Sequence, residues 1–326
     1  MPGTSDKDTA VTKPMARMAG EALGTAYGFA SELVSPLLGA SAALSVSLCD
    51  GPPRVRVLRS GLGVLESAIV DPQGRLFFTS QTWDGLSGAV LRMDHPDAEP
   101  AVLAGGIRSP GGLAFDDRGM LIAGFGDDGP GGLIGNLVGL AGLLLIDPGT
   151  GERRTWVTGL EMANGVARAR NGTVFASNDL GTHIDRIDPD GTVHRRWATV
   201  PSANGLAVDP ADRYLYAAQS FTAAAIKRVE IANPANVTTH ARPGPLAWAS
   251  GLDGLAIDTA GRLYVAANFA GQIWRVGPDG TIEALARGLR FPSAVAIGHG
   301  TSGFREGNLY AVTLSGDMVE LAGGAR

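Results

Sequence analysis

The chain has 326 residues, with 27 Lys and Arg against 32 Asp and Glu, a formal charge of −5. Hydrophobic residues at 44% exclude a disordered chain, and the mild acidic balance argues against nucleic acid as the partner. A single cysteine, Cys49, excludes an intrachain disulfide framework and a cysteine-based zinc cluster, and the 47 glycines follow no G-x-y period, which excludes collagen.

Residues 1–50 read as an N-terminal extension and residues 51–326 as the folded domain. Residues 1–13 are polar, and residues 14–48 are mostly Ala, Gly, Leu, Ser and Val. Lys7, Lys13 and Arg17 give a basic start. Ser and Gly interrupt the apolar run from Leu33 to Leu48, which is also shorter than the roughly 20 residues of a membrane span. A packing arm, helical or extended, a leader, and disordered sequence all fit this segment. Leu48 directly before Cys49 makes a poor lipoprotein signal. The expected location is cytoplasmic, with export by a non-standard leader left open.

From Val55 the pattern changes to short alternating strands between Gly, Pro and Asp turns. A loop–strand–turn–strand phrase starts six times, at Leu65, Ser109, Met162, Ser202, Leu252 and Pro292. A third strand often follows, as in HIDRIDPDG from His183 and QIWRVGPDG from Gln272, and a more polar fourth, as in TVHRRWAT from Thr192. Glu66, Gly111, Asn164, Asn204, Asp253 and Ser293 read as the loop positions just before each first strand, at steps of 45, 53, 40, 49 and 40 residues. Four strands per unit at this period predict an all-β, six-bladed β-propeller. A pair of β-sandwiches would give no reason for six copies of one phrase. The strand Arg54 to Arg59 and the final strand Asp317 to Leu321 are expected to share one mixed blade, closing the ring and removing free edges.

In a propeller the innermost strands line a central channel, so equivalent positions in successive blades converge. Glu66, Asn164, Asn204 and Asp253 would therefore meet, offering only oxygen donors. Hard divalent cations take such ligands, and calcium accepts six to eight oxygens at about 2.3–2.6 Å. Calcium fits best; magnesium, manganese or zinc stays open. Asn-Gly is also a common turn dipeptide, so Ala163-Asn164-Gly165 and Ala203-Asn204-Gly205 taken singly read as plain turns. Glu66 is sharper, because a carboxylate at the start of an apolar strand is costly unless paired.

The chain resembles the SMP-30/gluconolactonase/LRE-like superfamily of six-bladed propellers over roughly residues 55 to 321. The resemblance is carried by Glu66, the two Asn-Gly phrases and Gly251-Leu252-Asp253-Gly254. It implies that Glu66, Asn164, Asn204 and Asp253 bind one divalent metal, a set most similar to that of diisopropyl-fluorophosphatase and the paraoxonases. It also implies hydrolysis of a lactone or related ester. Glu66 and Asp253 are then the catalytic candidates, Asp253 as general base or nucleophile and Glu66 chiefly as the charged ligand. The sequence departs from the gluconolactonase branch in following Glu66 with Ser67-Ala68. The arginine and asparagine that grip a sugar acid there have no clear counterpart, Asn178-Asp179 being a weak match. Two alternatives are a non-enzymatic, calcium-stabilised ligand-binding propeller and a strictosidine synthase-like enzyme without the metal chemistry.

The insertion Gly124 to Gly142 reads equally as a flexible loop or as a glycine-hinged apolar lid, which would suit a small-molecule substrate with an apolar part. Trp83, Phe125, Phe221 and Phe269 follow second strands and could wall the pocket or pack blades. His183 is conceivable as a base, although a surface loop histidine reads better. No G-x-S-x-G phrase occurs, so a serine hydrolase is unsupported.

Overall fold

The computed structural model describes residues 35–83, 85, 87–127 and 137–326. They form six four-stranded antiparallel sheets, arranged as the six-bladed propeller expected from the repeat. Blade 1 comprises Val64–Val70, Leu76–Gln81, Gly88–Met93 and Ala101–Ile107. Blade 2 comprises Leu113–Phe115, Leu121–Phe125, Ala141–Ile146 and Arg153–Leu160. Blade 3 is built of Val166–Arg168, Val174–Ser177, His183–Ile187 and Val193–Thr199. Blade 4 follows with Ala203–Val208, Tyr214–Gln219, Ile226–Glu230 and Asn233–Ala241. Blade 5 has Leu252–Ile257, Leu263–Ala267, Gln272–Val276 and Ile282–Arg287.

Blade 6 closes the ring. Its inner strands Pro292–Ile297, Leu309–Thr313 and Met318–Ala322 come from the C-terminal end, and Arg54–Arg59 supplies the outermost strand. The pairing is antiparallel, with Arg56 opposite Glu320. Arg56 Nε donates to Glu320 Oε2 at 3.1 Å, which pins the register. One sheet built from Arg54–Arg59 and the three C-terminal strands holds the circle shut.

The recurring turn chemistry has a direct cause. Asp71 Oδ1 accepts the backbone N–H groups of Gln73 and Arg75, at 3.0 and 2.8 Å. Asp258 Oδ1 does the same for Ala260 and Arg262, at 3.0 and 2.9 Å. The arginine four residues on then returns to the same carboxylate, at 2.6 Å in both turns. These aspartates fold the turn between first and second strands, so the shared D-x-x-G-R spelling is structural rather than catalytic.

Between blades, apolar side chains interdigitate. Phe77, Phe78, Phe175, Tyr264, Trp274 and Tyr310 are fully buried there. Residues 35–50 lie outside the ring. Residues 35–43 are helical. Ala42 and Val46 pack with Trp274, Val276 and Ala284 of blade 5. Residue Leu48 forms a parallel bridge to Ala284 on the outermost strand, where Cys49 N donates to Ala284 O at 2.9 Å. This segment covers the outer edge of blade 5. Residues 1–34, on which the leader and disorder readings also fell, lie outside the described residues. Among the described residues no helix is long and apolar enough to cross a membrane.

Candidate functional site

The four oxygen-bearing residues picked out by the repeat line one pocket of about 310 Å³ at a mouth of the axial channel. They also ring a constriction of about 60 Å³ beneath it, together with Gly112, Gly165, Gly205 and Gly254. A third cavity, about 300 Å³ and lined by apolar residues such as Ile69, Val208, Ile257 and Ile297, opens on the other side. Glu66, Asn164, Asn204 and Asp253 thus stand at the waist of the channel.

The strand-entry reading needs one correction. Glu66, Asn204 and Asp253 lie inside their strands rather than in the loops before them. Each sits at a break in register with the second strand: between Leu65 and Ala68, between Ala203 and Leu206, and between Leu252 and Leu255. A bulge turns a side chain that would otherwise follow the pleat, and here it turns the donor toward the channel. The vacated position is filled from the second strand in two blades. Thr79 Oγ1 accepts the N–H of Ser67 at 2.9 Å, and Ser177 Oγ accepts the N–H of Gly165 at 2.8 Å.

The Asn-Gly phrases are not plain turns. Gly165, Gly205 and Gly254 are outside the left-handed backbone region that a tight turn would need. Their glycines answer to close approach: a Cβ on Gly165 would stand 2.2 Å from Asn204 O, one on Gly205 2.4 Å from Asp253 O, and one on Gly254 2.5 Å from Ser293 O. Each glycine therefore lets one donor strand press against the backbone of the next. Hydroxyls sew the same seam. Ser177 Oγ donates to Asn204 O at 2.5 Å, Ser220 Oγ to Leu252 O at 2.6 Å, and Ser293 Oγ to Leu65 O at 2.6 Å. Gly111 and Ser293, the remaining two repeat positions, are thus packing and tying positions rather than donors.

Electrostatically the site is acidic. Burial pushes the Glu66 carboxyl well above the usual range, and the charges of Asp253 and Asp179 push it further. Burial likewise raises Asp253, with Asp179 and Asp127 adding to it. Asn268 opposes that rise, donating from Nδ2 to Asp253 Oδ2 at 2.9 Å. Asp179 is raised by burial to about 6. Asn268 Oδ1 and Asp179 Oδ1 are buried without a hydrogen-bond partner. Every charge acting on Glu66 and Asp253 is negative, so the donor set is one that a bound cation would relieve. The residues present fit a hard cation in donor chemistry: two carboxylates and two amide oxygens, with unsatisfied oxygen beside them. Among the described residues, no group of three or more His, Cys, Asp and Glu is arranged to hold a metal by itself.

The structure places the other sequence candidates as follows. Phe221 and Phe269 line the pocket, with ring centroids 6.1 Å apart. Trp83 and Phe125 are outside its lining, and Phe125 packs into the core around Phe77 and Leu121. His183 Nδ1 meets Thr182 Oγ1 at 2.8 Å, away from the pocket. Residues 128–136 of the insertion read as a loop or lid lie outside the described residues. Sequence reasoning missed Asp127, Gln81 and Asn268, all of which line the pocket, and undervalued Asp179. Their common signal is position: all four follow or end a second strand.

A search of curated proteins finds no match for the sequence. Among solved structures, a gluconolactonase from Xanthomonas campestris is 18% identical, with a TM-score of 0.64, and the match covers 85% of this chain and 96% of that one. The calcium-binding protein regucalcin from Agrobacterium tumefaciens is 17% identical at a TM-score of 0.62, covering 83% and 94%. An auxiliary nutrient binding protein from Bacteroides ovatus is 13% identical at 0.62, covering 82% and 76%. These likenesses are likenesses of fold. The family described as "SMP-30/Gluconolactonase/LRE-like region" matches residues 177–310, a stretch that contains Asn204 and Asp253. That match spans less than half of the chain and falls on blades 3 to 6 of the propeller.

Proposed function

We propose that the protein is a divalent-metal-dependent hydrolase of a lactone or related ester. The observation that carries this reading is the convergence of Glu66, Asn164, Asn204 and Asp253 on one buried, acidic pocket in the channel. Those four residues would hold the cation, with calcium the best fit to an all-oxygen set. When bound, the cation supplies Lewis acidity toward a carbonyl oxygen and offsets the charge of the two carboxylates.

The chain's own residues perform the remaining tasks. Asp253 is held by Asn268, which fixes the carboxylate plane and leaves Asp253 to take a proton from water or to attack the carbonyl carbon itself. In the first course Asp253 takes a proton from water, the hydroxyl joins the acyl carbon, the acyl C–O bond breaks, and the proton passes from Asp253 to the departing alkoxide oxygen. In the second, the Asp253 carboxylate joins the acyl carbon as the acyl C–O bond breaks, the departing alkoxide takes a proton from water, and hydrolysis of the resulting acyl–Asp253 anhydride returns the free carboxylate and the product acid. Glu66 anchors charge at the channel waist. Asn164 and Asn204 add oxygen without charge. Phe221, Phe269 and Leu180 line the pocket and would keep water from an apolar part of the substrate.

The test is a panel of aliphatic, aromatic and sugar lactones with a phosphotriester, assayed after chelation and after adding calcium. Turnover that disappears with EDTA and returns with calcium is expected. Turnover indifferent to metal removal rejects this reading in favour of a metal-independent enzyme. Ligand binding without turnover would favour a binding propeller.

A further inference from the structure

The cation site leaves two pocket carboxylates unused. Asp179 is 9% exposed and Asp127 8% exposed, and both line the 310 Å³ pocket. Asp179 Oδ1 is buried and has no hydrogen-bond partner. The residue follows the second strand of blade 3, where Asn178 Oδ1 accepts the N–H of Leu180 at 3.1 Å and fixes the turn. Asp127 follows the second strand of blade 2, so the two acids approach from neighbouring blades. Among the described residues, no lysine or arginine lines the pocket.

The charge count decides what such a pocket accepts. Four carboxylates border it: Glu66, Asp253, Asp179 and Asp127. One divalent cation offsets two of them. An anionic substrate would then meet a net negative surround, whereas an ammonium would gain the Asp179 counter-charge and supply the donor that Asp179 Oδ1 lacks. Phe221 and Phe269 offer ring surface in the same pocket, suited to an apolar part or to the face of a cation.

We infer that the substrate carries a protonated amine beside its lactone or ester group, and that Asp179, with Asp127, anchors that amine. The inference rests on the hydrolase reading above, and it predicts selectivity that reading does not require. Asp179 and Asp127 are specificity-determining residues here, distinct in task from the four cation donors.

Non-hydrolysable lactams separate the two ideas. An α-amino-γ-lactam, the unsubstituted γ-lactam and its α-carboxylate analogue are titrated calorimetrically into the calcium-loaded full chain, and hydrolysis of the matching lactones is followed in parallel. The amino-lactam should bind at least about tenfold more tightly than the neutral one, which corresponds to about 1.4 kcal/mol, and the carboxylate analogue most weakly. Asp179→Asn should bring the amino-to-neutral ratio close to one. Asp127→Asn should lower it too, and serves alone if the Asp179 variant does not fold. A wild-type ratio near one, or a ratio unchanged in both variants, overturns the inference. A second calcium per chain that is lost in Asp179→Asn also overturns it, because these acids would then serve a metal. Lactone turnover without amine preference defeats the anchor and spares the hydrolase. Amine preference without turnover does the reverse.

Discussion

Asn268 Nδ2 donates to Asp253 Oδ2 at 2.9 Å, and both side chains are buried, at 3% and 6% exposure. The first residue after one strand of blade 5 thus orients a donor on its neighbour strand. A carboxylate fixed this way loses rotational freedom before any ligand arrives.

Removing that contact should therefore harm activity more than stability. Asn268→Ala is expected to lower kcat/KM by about tenfold to a hundredfold, in line with the cost of losing an orienting partner. Asn268→Asp should be worse, since it adds a fifth carboxylate to an already acidic pocket. Steady-state kinetics beside thermal melting check this. Equal losses in both, or unchanged kinetics, would show that Asn268 does not orient Asp253.

The inner glycines make a second, sharper test. Gly205→Ala would place a Cβ 2.4 Å from Asp253 O and 2.5 Å from Leu255 N, both backbone atoms that cannot swing aside. A cost of about 3 kcal/mol or more is expected, with loss of the site geometry. Gly119 has a φ of +78° and nothing near its would-be Cβ. Gly119→Ala should cost only the left-handed strain, about 1–2 kcal/mol. Chemical denaturation of the two variants measures the contrast, and similar losses would contradict the close-approach account.

The contrast shows how far the sequence could be read. Six strand–turn–strand phrases fixed the propeller, because apolar alternation and aspartate turns are local chemistry. Even the mixed blade of Arg54–Arg59 with Met318–Ala322 was legible, since a lone strand at each end has one place to go. Asn164, Asn204 and Asp253 were legible only as equivalent positions in a repeat. The bulges that aim them, and the reason glycine follows them, depend on the neighbouring blade and leave no local trace. Asp127 and Asn268 were illegible for a different reason. They follow second strands, where no repeated residue type marks the position, and only the ring's closure brings them to the pocket.

Acidity in the pocket sets a pH dependence for the chelated protein. Burial raises Asp179 from 3.8 to about 6, so the folded chain keeps a proton there that the unfolded chain has released. Stability should consequently fall as pH rises from about 4 to about 6. Glu66 and Asp253, also raised by burial, add to the fall. Asp117 and Asp188 are lowered instead, by Arg168 and by His194, and act below it. Melting temperatures in EDTA from pH 4.5 to 7 should decline. Asp179→Asn should flatten the lower part of that curve, and added calcium should reverse the decline. A melting temperature that rises with pH in EDTA would contradict the assigned burial.

Calorimetric titration of calcium into EDTA-stripped protein bears most directly on the claim that four distant side chains serve one cation. Wild type should bind one ion per chain and release protons on binding, more of them at lower pH, because Glu66 and Asp253 must ionise to take it. Glu66→Gln and Asp253→Asn should each weaken binding at least about tenfold, and Asn164→Ala and Asn204→Ala should weaken it less. Absence of binding in wild type, or affinity untouched by both carboxylate changes, would contradict the account.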